Sequence, residues 1–309
     1  MSSRQPRRPP ALAPGDKIRL VAPASPFDRN AFKAGFSALT ALGFEPVVAK
    51  AEFSARGFLA GDDASRAERL ARALAEPETK AVWAIRGGYG TVRTLAQLDL
   101  GRLRRSDKLM IGFSDLTALL VNLATPGGLA CVHGPVITQL AKLSGAQRRW
   151  VRALICDPRP SGPVPLGRLK RVVPGRVDGP LLGGNLSILA SLVGTPLLPS
   201  LRGAILFVEE VGEAAYRIDR VWRQLVESRA VAGVKGVILG ELVDCKPSGS
   251  GRWSARTVLE RNVAALGVPT VSGAAFGHAR RNVALPMGVR ARLDADAGEL
   301  RLLQGAVRP

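Results

Sequence analysis

The chain has 309 residues, 46% hydrophobic and 22% charged, with 44 Lys plus Arg against 25 Asp plus Glu and a formal net charge of +19. So much apolar surface excludes a disordered or low-complexity chain, and the length exceeds what a single core usually fills, which predicts two domains. Two histidines and three scattered cysteines, with no C-x-x-C pair, exclude the usual zinc spacings and a disulfide framework, and point to a cytoplasmic protein.

Residues 1–14 are basic and Pro-rich and read as a disordered tail. No apolar h-region follows them and no apolar run reaches 18 residues, so neither a signal peptide nor a membrane span is expected. Residues 16–23 read as a strand entering a turn, 30–42 as a helix stopped by Gly43, and 44–48 as a second strand. An amphipathic helix at 63–74 has Asp62 or Asp63 as its N-cap. A buried-type strand at 80–85 ends in Arg86-Gly-Gly-Tyr-Gly90, with a helix from about Thr91. A strand at 109–113 enters a helix at 116–123, and 129–132 completes the series. Short apolar strands alternating with helices predict βαβ units and a parallel sheet covered on both faces.

Residues 158–174, rich in Pro, Gly and Arg without periodicity, read as a linker. Beyond it come a Gly-rich turn at 182–185 leading into a helix, a strand at 204–208, a helix at 216–228 and a strand at 236–239. A helix at 255–266, a strand at 269–272 and a hairpin across 289–303 complete the second half.

Several phosphate and acyl-transfer motifs are absent: there is no Gly-Lys dipeptide, position 93 breaks G-x-G-x-x-G, and no S-x-x-K occurs. Ser114, in Ile111-Gly-Phe-Ser-Asp115, lies between an apolar strand and a helix. A hydroxyl there projects from the carboxyl end of a parallel sheet, where doubly wound folds bind ligands, and the Asp115 N–H could hold an oxyanion. A helix N-cap is the competing role, and the segment alone leaves both open. A serine nucleophile needs a base, which leaves His133 or His278; the loop placement of His278 favours it. Glu209 and Glu210 end an apolar run, with Glu209 on the face of Ile205 and Phe207 and Glu210 turned the other way. The Arg86–Gly90 turn allows positive φ and could offer a second backbone oxyanion donor.

Taken in order, Ala84-Ile-Arg-Gly-Gly-Tyr-Gly90, Gly112-Phe-Ser-Asp115, His133-Gly-Pro135, Gly183-Gly-Asn-Leu186, Phe207-Val-Glu-Glu-Val-Gly-Glu213 with Tyr216-Arg-Ile-Asp-Arg220, and Gly277-His278 resemble the LD-carboxypeptidases, the muramoyltetrapeptide carboxypeptidases. The resemblance covers about residues 15–302, and six motifs in order make it specific. It departs mildly where Phe113 replaces the usual Tyr and Val208-Glu209-Glu210 the frequent Leu-Glu-Asp.

The resemblance implies an α/β fold: an N-terminal flavodoxin-like parallel-sheet domain at 15–157, a linker at 158–175, and a C-terminal β-rich α/β domain at 176–309, with the active site at their interface. It implies a Ser114 nucleophile, a His278 base and a Glu209 acid, with the N–H groups of Gly88 and Asp115 as oxyanion hole, no metal and no cofactor. The implied activity is release of terminal D-Ala from murein tetrapeptides during peptidoglycan recycling in the cytoplasm, by a homodimer. Arg86 and Asn185 are the candidates for binding the substrate's free carboxylate.

A second expectation keeps the triad and makes the substrate a peptidyl-nucleotide antibiotic of the microcin C kind, as an immunity peptidase. A third, nucleic-acid binding, is motivated by the charge alone. The 35 Arg and 9 Lys are spread along the chain without a basic stripe, so no nucleic-acid partner is expected.

Overall fold

Strand register is what gathers the loops of the first half. The computed structural model describes residues 5–159, 162–248 and 253–309. Residues 1–4 of the predicted tail and residues 160 and 161 of the predicted linker lie outside the described residues. The described chain forms two units, residues 5–159 with 284–288 and 305–309, and residues 162–283 with 289–304.

In the first unit the strands are β1 (Lys17–Val21), β2 (Glu45–Val48), β3 (Ala81–Ala84), β4 (Leu109–Gly112) and β5 (Cys131–His133), with a late strand numbered β11 (Leu285–Met287). The sheet order is β11-β5-β4-β3-β1-β2, parallel except for β11. Every residue of β3 and β4 is buried, as expected of central strands in a parallel sheet covered on both faces. This is the predicted flavodoxin-like arrangement. Val21 pairs with Ala84, Trp83 with Ile111 and Gly112 with His133, so these four strands end level. The segments that follow, from Ala22, Ile85, Phe113 and Gly134, therefore leave the sheet along one edge.

The helices of this unit begin where the sequence supplies caps. Asp28 accepts from Ala31 N at 2.7 Å to start α1 (Arg29–Ala41), and Asp62 accepts from Ser65 N at 2.8 Å to start α2 (Asp63–Ala75). Short α3 (Thr91–Leu95), α4 (Leu100–Arg104), α5 (Thr117–Leu123) and α6 (Ile137–Leu140) follow, then α7 (Gly145–Cys156). The sequence reading lacks both α7 and β11. A Ser144/Gln147 capping box starts α7, and the Trp150 Nε1–H donates to Ala284 O at 2.9 Å beside β11. Pro286 inside β11 reads as a strand breaker, and it is accommodated because β11 is an edge strand.

At the opposite end of β4, Lys108 donates to Ala73 O at 2.7 Å and Thr79 Oγ1 at 2.8 Å near the C-terminus of α2. It is 8% exposed, and burial pulls its ammonium down to about 8 although Glu76 favours the charge. Between that value and the ordinary 10.5 the unfolded chain holds a proton that the folded chain has released, so stability rises with pH across the window. Relative to Lys108→Met, the wild type is expected to gain about 3 kcal/mol between pH 7 and pH 11. Urea unfolding of both proteins across that range measures it, and a constant difference would refute the assignment.

The second unit carries β6 (Lys170–Val173), β7 (Arg176–Asn185), β8 (Ile205–Val211), β9 (Gly236–Val243), β10 (Thr270–Ser272), β12 (Arg290–Asp294) and β13 (Glu299–Leu302). Its sheet runs β13-β12-β7-β8-β9-β10-β6, parallel from β7 to β10 and antiparallel at both flanks. The predicted hairpin is β12 and β13. Helices α8 (Leu186–Ser191), α9 (Ala215–Glu227) and α10 (Ala255–Ala264) belong to this unit. The predicted Gly-rich turn at 182–185 is instead the end of β7. A Cβ on Gly183 would come 1.8 Å from Phe207 O, so the glycine lets β7 lie against β8. Among the described residues no helix is long and apolar enough to cross a membrane.

Candidate active site

In the first unit, Ser114 opens a 3-10 turn (Ser114–Leu116) between β4 and α5 and has φ +65°. A non-glycine residue held at positive φ stores strain, which proteins retain mainly where geometry is functional. The neighbouring turn presses directly on it. A Cβ on Gly87 would come 2.9 Å from Ser114 Cβ and 3.0 Å from Phe113 O. Gly88 has φ +100°, and a Cβ there would meet Ser25 Oγ at 2.4 Å, so only glycine fits. Among the described residues no backbone carbonyl accepts from the Gly88 N–H. Register thus brings together three of the predicted residues, Ser114, Asp115 and Gly88.

Two residues of this arrangement escape the sequence reading. Ser25, 7% exposed, lies in the segment after β1 and accepts from Tyr89 N at 3.0 Å. Arg66, fully buried on α2, donates to Pro23 O at 2.6 Å, Gly90 O at 2.8 Å and Thr94 Oγ1 at 2.6 Å, and pairs with Asp63. The signal available for Ser25 was its position: a polar residue directly after the first parallel strand sits at the ligand-binding edge of such sheets. Arg66 offered none, because a basic residue on an amphipathic helix reads as solvent-facing.

Arg86 leaves β3 at the same edge, is exposed, and donates to Pro26 O at 2.7 Å, which steadies a guanidinium beside the turn. His133 is fully buried, with its ring edge-to-face against Phe113 at 5.2 Å. Asp115 is 2% exposed and accepts from Thr91 N at 2.8 Å; burial raises its carboxyl pKa, and the Thr91 hydrogen bond opposes the rise.

In the second unit, Glu209 and Glu210 both lie inside β8, which runs on past the predicted end at 208. Glu209 is fully buried, and its Oε2 lies 2.7 Å from His278 Nδ1. Its Oε1 meets no hydrogen-bond partner among the described residues. Gly277, at φ +119°, makes room for it: a Cβ there would lie 3.0 Å from Glu209 Oε2. Phe276 anchors the same loop, edge-to-face on Phe207 at 5.6 Å, and its ring fills the space over Gly240. There the pairing of β8 with β9 shifts register between Val208 and Glu210, an irregularity of the kind that re-aims side chains near functional sites.

Glu210 faces the other way, as strand alternation predicts. It accepts from Asn185 Nδ2 at 2.9 Å, Ser187 N at 2.7 Å and Val211 N at 2.8 Å. Burial raises its carboxyl pKa and these donors oppose the rise. Asn185 Oδ1 in turn accepts from Ile188 N at 3.1 Å as the N-cap of α8. Both ends of the Asn185 amide are therefore engaged within the unit.

With one ring nitrogen of a histidine against a buried carboxylate, the other nitrogen is the basic one when the Nδ1 hydrogen is donated to Glu209. Such a pair is chemically able to act as a general base and acid. Comparison with known proteins identifies the family. The LD-carboxypeptidase N-terminal domain family matches residues 18–134, and the LD-carboxypeptidase C-terminal domain family matches residues 178–293. The chain belongs to the LD-carboxypeptidase family. The murein tetrapeptide carboxypeptidase of Pseudomonas aeruginosa is 34% identical, over 91% of this chain and 94% of its own. The muramoyltetrapeptide carboxypeptidase of Oxalobacter formigenes has a structure matching with a TM-score of 0.80 at 30% identity, over 95% of this chain and all of its own. Microcin C7 self immunity protein MccF shares the fold, with a TM-score of 0.87 at 24% identity over 98% of this chain and 100% of its own. As an LD-carboxypeptidase family member the chain is a peptidase, and both halves of the two-domain α/β fold expected from the sequence are present.

Proposed function

We propose that this protein is a serine-type LD-carboxypeptidase that releases terminal D-Ala from murein tetrapeptides in peptidoglycan recycling. The observation that carries the reading is the buried Glu209–His278 pair, at 2.7 Å, in a chain of this family. Ser114 Oγ attacks the scissile carbonyl carbon while His278 Nε2 takes the hydroxyl proton. Glu209 holds the ring in the productive tautomer and stabilises the imidazolium. The carbonyl oxygen, now an oxyanion, receives hydrogen bonds from the Gly88 and Asp115 N–H groups. Collapse breaks the C–N bond, and His278 returns the proton to the departing D-Ala amine. Water, deprotonated by the same imidazole, then hydrolyses the Ser114 ester. Arg86 is the cation best suited to the substrate's terminal carboxylate, because the Pro26 carbonyl already orders its guanidinium.

The test is to incubate the wild type with a sugar-free tetrapeptide ending in D-Ala and to follow free D-Ala with a D-amino-acid oxidase assay. Release is expected from the D-ended peptide, undiminished by EDTA, and none from its L-Ala-ended isomer. No release of D-Ala, with turnover of a peptidyl-nucleotide instead, would replace this reading by the immunity-peptidase one.

A further inference from the structure

The Gly-rich turn is held on both sides of Gly88, and the way it is held decides where one hydrogen points. A trans peptide plane carries its C=O and N–H on opposite sides. Ser25 N donates to Gly87 O at 3.3 Å, so the plane between Gly87 and Gly88 has its carbonyl turned toward Ser25 and its N–H turned away. In the next plane Tyr89 N donates to Ser25 Oγ at 3.0 Å, and in the plane after it Tyr89 O is the acceptor for the hydroxyl hydrogen at 3.4 Å. One serine thus grips the chain before and after Gly88. Its Oγ and Cβ occupy the space a Gly88 side chain would need.

The far end of the turn is tied to the nucleophile's own turn. Asp115 follows Ser114, and its Oδ2 accepts from Thr91 N at 2.8 Å, where α3 begins. Arg66 holds the Gly90 carbonyl between these two anchors.

Building on the function proposed above, we propose that the Ser25 hydroxyl and the Asp115 carboxylate are positioning residues for the reaction, locking the Gly87–Thr91 turn so that the Gly88 N–H is presented to the developing oxyanion. Neither side chain touches the substrate. Each acts through the backbone donors, with Asp115 linking the turn that carries one donor to the turn that carries the other. Preorganised donors are effective because they need no rearrangement when charge develops, and a donor displaced by a fraction of an ångström loses much of that effect.

The test compares Ser25→Ala, Asp115→Ala and Asp115→Asn with wild type. Ser25→Ala and Asp115→Ala are each expected to lower kcat by about 10- to 100-fold, with KM within about twofold. Asp115→Asn keeps an oxygen acceptor for Thr91 N and should recover most of the loss. A tripeptide aldehyde, whose adduct with Ser114 carries the oxyanion, should bind the two alanine variants more weakly by the same factor as kcat falls. Affinity for the product tripeptide should stay at the wild-type value. The double variant should lose less than the product of the single losses, because both residues act through one turn. Any variant that unfolds at the assay temperature is compared with wild type at a reduced temperature where both are folded. Unchanged kcat in Ser25→Ala, or equal weakening of aldehyde and product, would overturn the inference while D-Ala release by the wild type still stood. A wild type that releases no D-Ala would remove the underlying reading as well.

Discussion

Replacing Ser114 with Ala is expected to lower kcat for D-Ala release by about 10⁴- to 10⁶-fold with little change in KM. On the mechanism proposed above the variant lacks the oxygen that forms the acyl bond, so what survives is catalysis by binding and the oxyanion donors acting on water. The fold should be untouched. Ser114 already sits at φ +65°, and alanine meets the same backbone strain as serine there. The measurement is a progress curve at high enzyme concentration, with thermal unfolding to show that the midpoint has not moved. A variant keeping a tenth of wild-type kcat would mean that Ser114 is only a turn residue.

Glu209→Gln is the second large effect, expected to cost about 10⁴-fold in kcat. Size is conserved, so packing against Gly277 is kept. If the amide turns its NH2 toward His278 Nδ1, that nitrogen must accept, the proton moves to Nε2, and the ring has no free nitrogen left to take a proton. If it turns its oxygen there, the NH2 falls where Glu209 Oε1 now meets no partner among the described residues, and buried unpaired donors are costly. Either orientation is bad. Substrate binding does not pass through this side chain, so KM should move by no more than a few-fold. A loss smaller than tenfold would show that the imidazole is oriented by something else.

The first half of the chain was the more legible in sequence, for local reasons. Its central strands are continuous apolar runs, and Asp28 and Asp62 stand just ahead of amphipathic helices. The second half was less so. The Gly183–Gly184 pair read as a turn, because glycines in sequence do not reveal that another strand's backbone is pressed against them. β11 is three residues long with a proline in the middle, and only its pairing to β5 makes it a strand. The start of α7, by contrast, is written in the sequence as the Ser144/Gln147 capping box.

The candidate residues divide along the same line. Sequence alone determined the family, through six short motifs in order, and with it the residue types available for acyl transfer: one serine at a strand-to-helix turn, two histidines and two adjacent glutamates. Tertiary structure places them in different surroundings. Glu209 meets His278 while Glu210 is taken up by Asn185, Ser187 and Val211, because adjacent strand residues face opposite sides of a sheet. His133 is enclosed against Phe113 in the first unit's sheet, whereas His278 stands on a loop beside a buried carboxylate. Ser25 and Arg66 had no signature beyond position and composition. Their roles come from strands β1, β3 and β4 ending level, so that residues some sixty or ninety positions apart share one edge. The high positive charge that opens the sequence carried the least, since charge is a sum over the chain and a site is an arrangement in space.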